Sequence, residues 1–244
     1  MELKGNTILI TGGATGIGLA MAEEFLKLGN EVVVCGRRME KLNEAKRKFP
    51  ALHIVQADLS KKESRINFAK SILEKTPGIN ILINNAGIQN ETNITDPDCN
   101  DSMQEEVDTN FVAPVHLSAL FVAHLKQKKE AAIINISSGL AFAPLAIVPV
   151  YCATKAALHS VSLSLRHQLK DTSVRVFEIA PPIVDTNLDR GARDKRGMEN
   201  RGITAKEFAD GAIDALKNDV FEAAIGMAAG LREKRELAFP FMNK

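Results

Sequence analysis

Tryptophan is absent from this chain of 244 residues, and tyrosine occurs only once, as Tyr151. Cysteine is also scarce. The three cysteines, Cys35, Cys99 and Cys152, are far apart and lack the spacing of metal ligands, which argues against a disulfide framework and a zinc site. The sequence therefore indicates a protein of a reducing compartment.

The chain also lacks an excess of either charge, because it has 31 basic and 30 acidic side chains and a net charge of +1. This balance argues against nucleic acid as a partner and favours a small-molecule ligand. No apolar run reaches the ~20 residues of a membrane span, and no signal-peptide segment precedes the first strand-like run. We expect a cytoplasmic protein that does not bind membranes.

The five histidines form no cluster with carboxylates or thiols along the sequence, so we predict no metal site.

Short runs rich in Ile and Val alternate with helical segments along the whole chain. Near-continuous apolar strands are typical of a parallel sheet that is covered on both faces. The alternation predicts an α/β fold, a Rossmann-type doubly wound parallel sheet of about seven strands with helices on both faces. The predicted strands are 7–11, 31–35, 52–56, 79–84, 131–137, 174–180 and 221–226, and the predicted helices are 17–29, 40–49, 61–75, 101–128, 151–170 and 204–217. No linker or repeat divides the chain, so residues 1–244 are predicted to form one domain.

Glycines follow the first predicted strand at positions 12, 16 and 18, directly before an amphipathic helix. Glycine lets the backbone approach a ligand closely, and the helix N-terminus offers unpaired N–H groups to a pyrophosphate. Tight turns use glycine for other reasons too, but the position between a strand and a helix favours a dinucleotide site.

Tyr151 stands four residues before Lys155, so the phenol and the ammonium share one face of a predicted helix. A cation beside a phenol favours the phenolate, which makes the pair a candidate acid and base near neutral pH. A half-buried ring beside a solvated amine is the ordinary structural alternative.

Residues 186–203 are dense in charge and poor in apolar side chains. This composition is typical of a solvated surface loop, and it also fits a mobile lid that closes over a substrate. Both interpretations stay open at the level of sequence.

These motifs together resemble the short-chain dehydrogenase/reductase family. They are Thr11-Gly12-x-x-x-Gly16-Ile17-Gly18, Asn84-Asn85-Ala86-Gly87, Ser138 and Tyr151-x-x-x-Lys155, in the order and spacing of that family. Within it the chain is similar to the small DltE-type oxidoreductases. The family assembles through its long helices, so the resemblance implies a homodimer or a homotetramer.

The resemblance implies a catalytic set of Asn110, Ser138, Tyr151 and Lys155. Tyr151 is the expected general acid and base, Lys155 favours its phenolate and holds the nicotinamide ribose, and Ser138 hydrogen-bonds the substrate oxygen. Asn110 is expected to hold a water on a proton relay to Lys155. Structural alternatives are a serine that caps a turn and a helix asparagine that makes a local hydrogen bond.

The expected cofactor site combines the glycine turn with residues that follow the later strands. Asp58 is expected to accept a hydrogen bond from adenine, and a helix N-cap is its structural alternative. Pro182 stands where the family has glycine, which stiffens the turn beside the nicotinamide. The predicted contacts are Gly12, Thr15, Gly16, Ile17, Gly18, Arg37, Arg38, Asp58, Leu59, Asn85, Ala86, Gly87, Tyr151, Lys155, Ile183, Val184 and Thr186.

The second predicted strand ends in Gly36-Arg37-Arg38, without the acidic residue that NAD-preferring relatives place there. A guanidinium binds a 2′-phosphate and stacks on adenine, so we predict NADP(H) rather than NAD(H). The alternative is that these arginines face solvent and do not discriminate between NADP(H) and NAD(H).

The expected function is an NADP(H)-dependent oxidoreductase that interconverts a carbonyl and a secondary alcohol. The apolar segment 140–150 is expected to line one wall of the substrate site, and residues 88–92 another. The alternatives are an NAD-dependent dehydrogenase of the same family and a non-catalytic, dinucleotide-binding regulatory or scaffold protein.

Overall fold

Seven parallel strands form one central sheet in the order β3-β2-β1-β4-β5-β6-β9. The computed structural model describes residues 1–96, 100–188 and 202–243. The strands of the sheet are β1 Thr7–Thr11, β2 Glu31–Gly36, β3 His53–Gln56, β4 Ile79–Asn84, β5 Ala131–Ile136, β6 Val174–Ala180 and β9 Glu222–Ala224. Two short strands, β7 Val184–Asp185 and β8 Ile203–Thr204, pair separately. The predicted parallel sheet of seven strands is confirmed.

Helices connect the strands and cover both faces of the sheet. They are α1 Gly16–Lys27, α2 Met39–Lys48, α3 Lys62–Lys75, α4 Asn100–Val107, α5 Ala113–Leu125, α6 Pro149–Gln168, α7 Ala205–Lys217, α8 Met227–Lys234 and α9 Phe239–Met242. In the described ranges, no helix is long and apolar enough to span a membrane.

Alternate side chains of each strand enter two separate apolar layers. Ile8 and Ile10 of β1 pack into one layer, whereas Leu9 between them packs into the other. Because both faces of the sheet are covered, both sets of side chains must be apolar, which explains the near-continuous Ile and Val runs of the sequence.

The predicted helix 101–128 is wrong in one respect, because a π-helical turn, Asp108–Val112, separates α4 from α5. Pro114 lies in the first turn of α5 and has no N–H to donate to the carbonyl of Asn110. The helix therefore widens at Asn110, and such turns are frequent at functional sites.

A row of polar side chains crosses the sheet on four neighbouring strands. Asn84 stands opposite Asn135, Asn135 opposite Glu178, and Glu178 opposite Glu222. The Asn84 amide donates to Asn135 Oδ1 at 2.9 Å, and the Asn135 amide donates to Ser162 Oγ of α6 at 2.9 Å. These hydrogen bonds satisfy part of the buried row, whereas Asn84 Oδ1 and Glu178 Oε1 have no partner among the described residues.

The strand order reverses between β1 and β4, since the chain runs outward through β2 and β3 and then returns to the other side of β1. In open α/β sheets, the carboxyl ends of the strands at such a reversal form a crevice for ligands. Both the glycine turn after β1 and the Asn84–Gly87 segment after β4 begin at this crevice.

Candidate active site

A cavity of about 1360 Å³ lies at the carboxyl ends of the strands. Every predicted cofactor residue lines it, as do Ser138, Tyr151 and Lys155 of the predicted catalytic set. Asn110 does not line it, although its neighbour Thr109 does. The fold thus brings together residues that are up to 174 positions apart, from Gly12 to Thr186.

The glycine turn is packed so closely that larger side chains do not fit. Gly12 has a φ of 63°, and a Cβ there would lie 2.8 Å from the Ala86 Cα. A Cβ on Gly18 would lie 2.5 Å from both the Asn85 Nδ2 and the Gly12 carbonyl oxygen. The first N–H groups of α1, which begins at Gly16, have no carbonyl partner within the helix. The turn therefore leaves space and donors for a pyrophosphate.

Hydrogen bonds from Thr11 and Asn85 hold the turn against the segment that follows β4. Thr11 Oγ1 accepts the N–H groups of Asn85 and Ala86 at 2.9 and 3.0 Å. The Asn85 amide donates to the carbonyl oxygens of Thr11 and Gly12 at 2.9 and 3.2 Å. The predicted motifs at 11–18 and 84–87 therefore form one connected unit.

Arg37 and Arg38 lie at one end of the cavity, and both side chains are exposed. The Arg37 guanidinium forms an ion pair with Glu105 of α4. This contact joins the end of β2 to a helix that follows β4, and the sequence did not indicate it. A phosphate that binds Arg37 must therefore compete with the Glu105 carboxylate.

Asp58 lines the same end of the cavity but does not cap a helix. Its Oδ1 accepts the N–H of Ser60 at 3.0 Å and the Ser60 hydroxyl at 2.8 Å. Helix α3 begins only at Lys62, after Lys61. The N-cap alternative for Asp58 is therefore wrong, because Asp58 closes a local turn before the helix begins.

Tyr151 and Lys155 lie on one buried face of α6, which begins two residues earlier at Pro149. The Lys155 Nζ is 5.6 Å from the centre of the Tyr151 ring and donates to the carbonyl oxygen of Ile136 at 2.8 Å. Burial lowers the pKa of Lys155 to about 8, although the carboxylates of Glu178 and Glu106 act in the opposite direction. Lys155 is thus a buried ammonium that can lose its proton near neutral pH, unlike the solvated amine of the ordinary alternative.

Ser138 caps a turn and also lines the cavity. Its Oγ accepts the N–H of Leu140 at 3.1 Å and caps a short 3-10 turn, Gly139–Ala141. The same side chain lines the cavity. Ser137 also lines the cavity, and its buried Oγ has no hydrogen-bond partner among the described residues.

Asn110 is fully buried in the π-helical turn and grips the backbone of Ile88. Its Oδ1 accepts the Ile88 N–H and its Nδ2 donates to the Ile88 carbonyl, both at 2.8 Å. The Nδ2 also lies 3.2 Å from Thr154 Oγ1 of α6. Asn110 therefore joins the cavity wall at residue 88 to the helix that carries Tyr151 and Lys155, which a local hydrogen bond would not do.

Residues after β6 form the opposite wall of the cavity. The Pro181 carbonyl accepts the N–H of Gly139 at 2.9 Å, which ties this turn to the Ser138 segment. A Cβ on Gly16 would lie 3.2 Å from the Thr186 methyl group, so Thr186 packs over the glycine turn. Of the predicted lid, 189–201 lie outside the described residues.

The end of the cavity where we expect the substrate contains residues that the sequence indicated and others that it did not. Leu140, Leu145 and Ile147 line it as expected from the apolar segment, and so do Gln89 and Asn90. The C-terminal residues Met227, Leu231, Met242 and Asn243 line it too. Their place depends on how α8 and α9 fold back over the site, which no local pattern indicates.

A second group of titratable side chains comes from α6, β6 and β9. His159 Nδ1 is 2.8 Å from the Glu178 carboxylate, and the ligand atoms of His159, Glu178 and Glu222 all lie within 4.8 Å of one another. The hydrogen bond to Glu178 raises the pKa of His159, and Arg232 pairs with Glu222. The group is therefore an ion network that this chain balances with its own cations. Because its members are remote in sequence, their spacing did not indicate it.

Comparison with known proteins gives consistent matches over nearly the whole chain. A family model for short chain dehydrogenases matches residues 6–197. The uncharacterized oxidoreductase DltE of Bacillus subtilis (strain 168) is 50% identical over 236 residues, which cover 96% of this chain and 93% of that relative.

Two solved structures show the same architecture. A short chain dehydrogenase from Burkholderia cenocepacia J2315, in complex with NADP, has a TM-score of 0.83 at 25% identity and covers 96% of this chain and 94% of that one. A short chain dehydrogenase/reductase from Burkholderia phymatum, in complex with NAD, has a TM-score of 0.87 at 22% identity over 95% and 93% of the two chains, a likeness of fold.

Proposed function

Because this chain belongs to the short-chain dehydrogenase/reductase family and is similar to its DltE-type oxidoreductases, we propose that it interconverts a carbonyl and a secondary alcohol with NADP(H). The proposal is carried by one observation. The buried Tyr151 and Lys155 line the same cavity as the glycine turn, so an acid and base pair shares a space with a dinucleotide site.

Tyr151 acts as the general acid in the reductive direction. Its phenol donates a proton to the substrate oxygen, and the phenolate that remains is favoured by the Lys155 ammonium. The Ser138 hydroxyl donates a hydrogen bond to the same oxygen and stabilises the charge that develops there. A nicotinamide, when bound, supplies or accepts the hydride. In the oxidative direction the phenolate of Tyr151 takes the proton from the alcohol.

Lys155 returns a proton to Tyr151 after each reduction, and Asn110 supports this transfer. Asn110 fixes the backbone of Ile88 on one side and reaches Thr154, next to Lys155, on the other. Its position fits a residue that orders water between Lys155 and the cavity wall. Asn110 does not line the cavity, so it acts on the site through the backbone of Ile88, which does.

Cofactor preference depends on the end of β2, where Gly36 replaces an acidic residue and Arg37 and Arg38 line the cavity. A carboxylate at position 36 would repel a 2′-phosphate, whereas a guanidinium binds one with charge-assisted hydrogen bonds. The relatives in complex with a dinucleotide include one with NADP and one with NAD. The residues of this chain favour NADP(H).

Arg37→Ala is expected to raise the Kd for NADPH by about 10- to 100-fold, the usual worth of a hydrogen bond to a charged group. The Kd for NADH is expected to change little, because NADH carries no 2′-phosphate. Both constants are measured by titrating the fluorescence of the reduced nicotinamide. Arg47→Ala is the control, since Arg47 is an exposed cation of α2 that does not line the cavity. An unchanged NADPH preference would show that Arg37 does not bind the 2′-phosphate.

The substrate body is expected to be modest in size and apolar, without an obligatory charged tail. Leu140, Leu145 and Ile147 present apolar surface at the reacting end of the cavity, beside Ser138 and Tyr151. Such walls bind hydrocarbon, and the few polar groups orient the carbonyl. A substrate panel in which only highly anionic compounds react would contradict this proposal.

The deciding experiment is NADPH oxidation against a panel of ketones, aldehydes and diketones, with NADH in parallel. Turnover with NADPH supports the proposed function. Faster turnover with NADH, above all in the oxidative direction, would favour the NAD-dependent dehydrogenase. Tight binding of the dinucleotide without turnover of any compound would favour a regulatory or scaffold protein.

We also propose that the chain forms a homodimer or a homotetramer. A second cavity of about 390 Å³ lies between α4 and α6 and is lined almost entirely by apolar side chains, among them Met103, Phe111 and Val150. Exposed apolar surface of this kind is frequent at interfaces between protein chains. Light scattering in solution gives the mass of the particle and decides the number of subunits.

A further inference from the structure

Glu106 of α4 is a completely buried carboxyl group, with a side chain that is 0% exposed. Its Oε1 accepts the N–H of Asn90 at 3.2 Å. Its Oε2 is buried as well and has no hydrogen-bond partner in residues 1–96, 100–188 and 202–243. Burial of a carboxylate with an unsatisfied oxygen is costly unless a cation stands opposite.

Glu106 and Asn110 hold the same stretch of cavity wall. They lie one helical turn apart, and they bond to residues two positions apart, Asn90 and Ile88. Side chains four positions apart in this helical stretch therefore hold both ends of the segment 88–90. The gripped segment, Ile88-Gln89-Asn90, lines the cavity beside the proposed substrate.

Lys155 lies close to Asn110 and acts electrostatically on Glu106. A Cβ on Gly87 would lie 3.4 Å from the Asn110 Oδ1 and 3.7 Å from the Lys155 Nζ. The Asn110 amide and the Lys155 ammonium are therefore both close to Gly87. The hydrogen bond of Lys155 goes to the carbonyl of Ile136, which carries no charge. A buried ammonium needs an anion nearby to stay protonated.

Two carboxylates can provide this negative charge. Glu178, on β6, raises the pKa of Lys155 more than Glu106 does, but it is also bonded to His159 at 2.8 Å. Among the described residues, the titratable groups that act on Glu106 are Lys155 and the Cys152 thiol, both from α6. Burial raises the pKa of Glu106 to about 7, and Lys155 opposes this rise. Glu106 therefore carries its negative charge in the alkaline range where Lys155 begins to lose its proton.

We propose that Glu106 is a positioning residue of this active site: one oxygen fixes the wall at Asn90, and its negative charge keeps the Lys155 ammonium protonated for its work with Tyr151. The inference rests on the proposed function of Lys155. It adds to that function an anion on α4 that sets how far into the alkaline range the enzyme works.

Glu106→Gln separates the two roles, because the amide oxygen can still accept the Asn90 N–H while the charge is lost. Without this anion Lys155 loses its proton at lower pH, so the alkaline limit of reductive kcat is expected to fall by about one pH unit or more. Asp108→Asn is the control, since Asp108 follows the same helix, bonds to Gln104 and does not line the cavity. That variant is expected to keep the wild-type limit.

A second measurement needs no turnover and so separates this inference from the proposed function. Tyr151 is the sole tyrosine and tryptophan is absent, so the near-ultraviolet absorbance of phenolate reports Tyr151 alone. The shift of this transition caused by Glu106→Gln is measured twice, once with Lys155 present and once in a Lys155→Met background. With Lys155 present, the transition is expected to lie at higher pH than the shift in the Lys155→Met background would give. The difference isolates the effect that passes through Lys155.

An unchanged alkaline limit together with equal shifts in both backgrounds would overturn the inference and leave Glu106 as a structural residue. If no substrate is turned over, the proposed function fails and the phenolate titration alone decides the role of Glu106. If Glu106→Gln does not fold, Glu106→Asp replaces it. Its shorter side chain places the carboxylate farther from Lys155. The alkaline limit and the phenolate transition are therefore expected to move in the same directions as in Glu106→Gln, by smaller amounts. No movement there would also overturn the inference.

Discussion

Tyr151→Phe is expected to lower kcat for carbonyl reduction by about 10²- to 10⁴-fold, the usual contribution of a positioned general acid. The substitution deletes one oxygen and leaves the buried ring in place, so packing on α6 is retained. The Kd for NADPH and the unfolding temperature are therefore expected to stay close to those of the wild type. A loss confined to kcat identifies the phenol as the proton donor.

Single-turnover and steady-state rates with the best compound of the panel measure this loss. Ser160→Ala provides the control, because it removes a hydroxyl group from an exposed position on the same helix and away from the cavity. Turnover of Tyr151→Phe within tenfold of the wild type would show that another group protonates the substrate. The chain has no second tyrosine that could take over the role.

Gly18→Ala is expected to abolish measurable binding of NADPH and to destabilise the fold by about 1–3 kcal/mol, the usual cost of an overpacked site. The added Cβ would lie 2.5 Å from the Gly12 carbonyl and from the Asn85 Nδ2. The Gly12 carbonyl is backbone, and Asn85 is held by two hydrogen bonds, so neither can move aside cheaply. The glycine turn must shift, and its donors lose their alignment with the pyrophosphate.

Gly230→Ala is the matched control, since Gly230 lies within α8 and a Cβ there meets no atom within 4 Å. That change is expected to leave NADPH binding intact and to stabilise the protein slightly, as alanine is the better helix former. Thermal unfolding and cofactor titration compare the two variants. Equal behaviour of both would mean that close packing at Gly18 does not shape the cofactor site.

The candidate catalytic and cofactor motifs could be found in the sequence because each depends on a local regularity. Tyr151 and Lys155 share a face through the helical repeat, and the glycines stand between a strand and a helix. Ser138 follows β5 directly. Parallel strands place their carboxyl ends at one edge of the sheet, so segments that follow different strands meet there without any further signal.

The partners of these residues were not readable, because they come from elements far apart in the chain. Glu105 reaches Arg37 from α4, and Glu106 and Glu178 flank Lys155 from α4 and β6. Along the sequence Glu105 and Glu106 resemble ordinary solvated charges, and the position of Glu178 in an apolar strand does not reveal which residue it faces. The π-helical turn at Asn110 was also missed, although Pro114 lies inside the predicted helix 101–128 and an interior proline removes a helical hydrogen bond.

The sequence by itself determined the α/β fold, the family and the candidate residues of the site, because periodicity and motif spacing are properties of neighbouring positions. Only the tertiary structure decided which charges are buried, which of them face Lys155 and which residues of the C-terminal helices close the cavity. Burial and electrostatic interaction depend on distance in space and on exclusion of water, and both arise only when remote elements pack together.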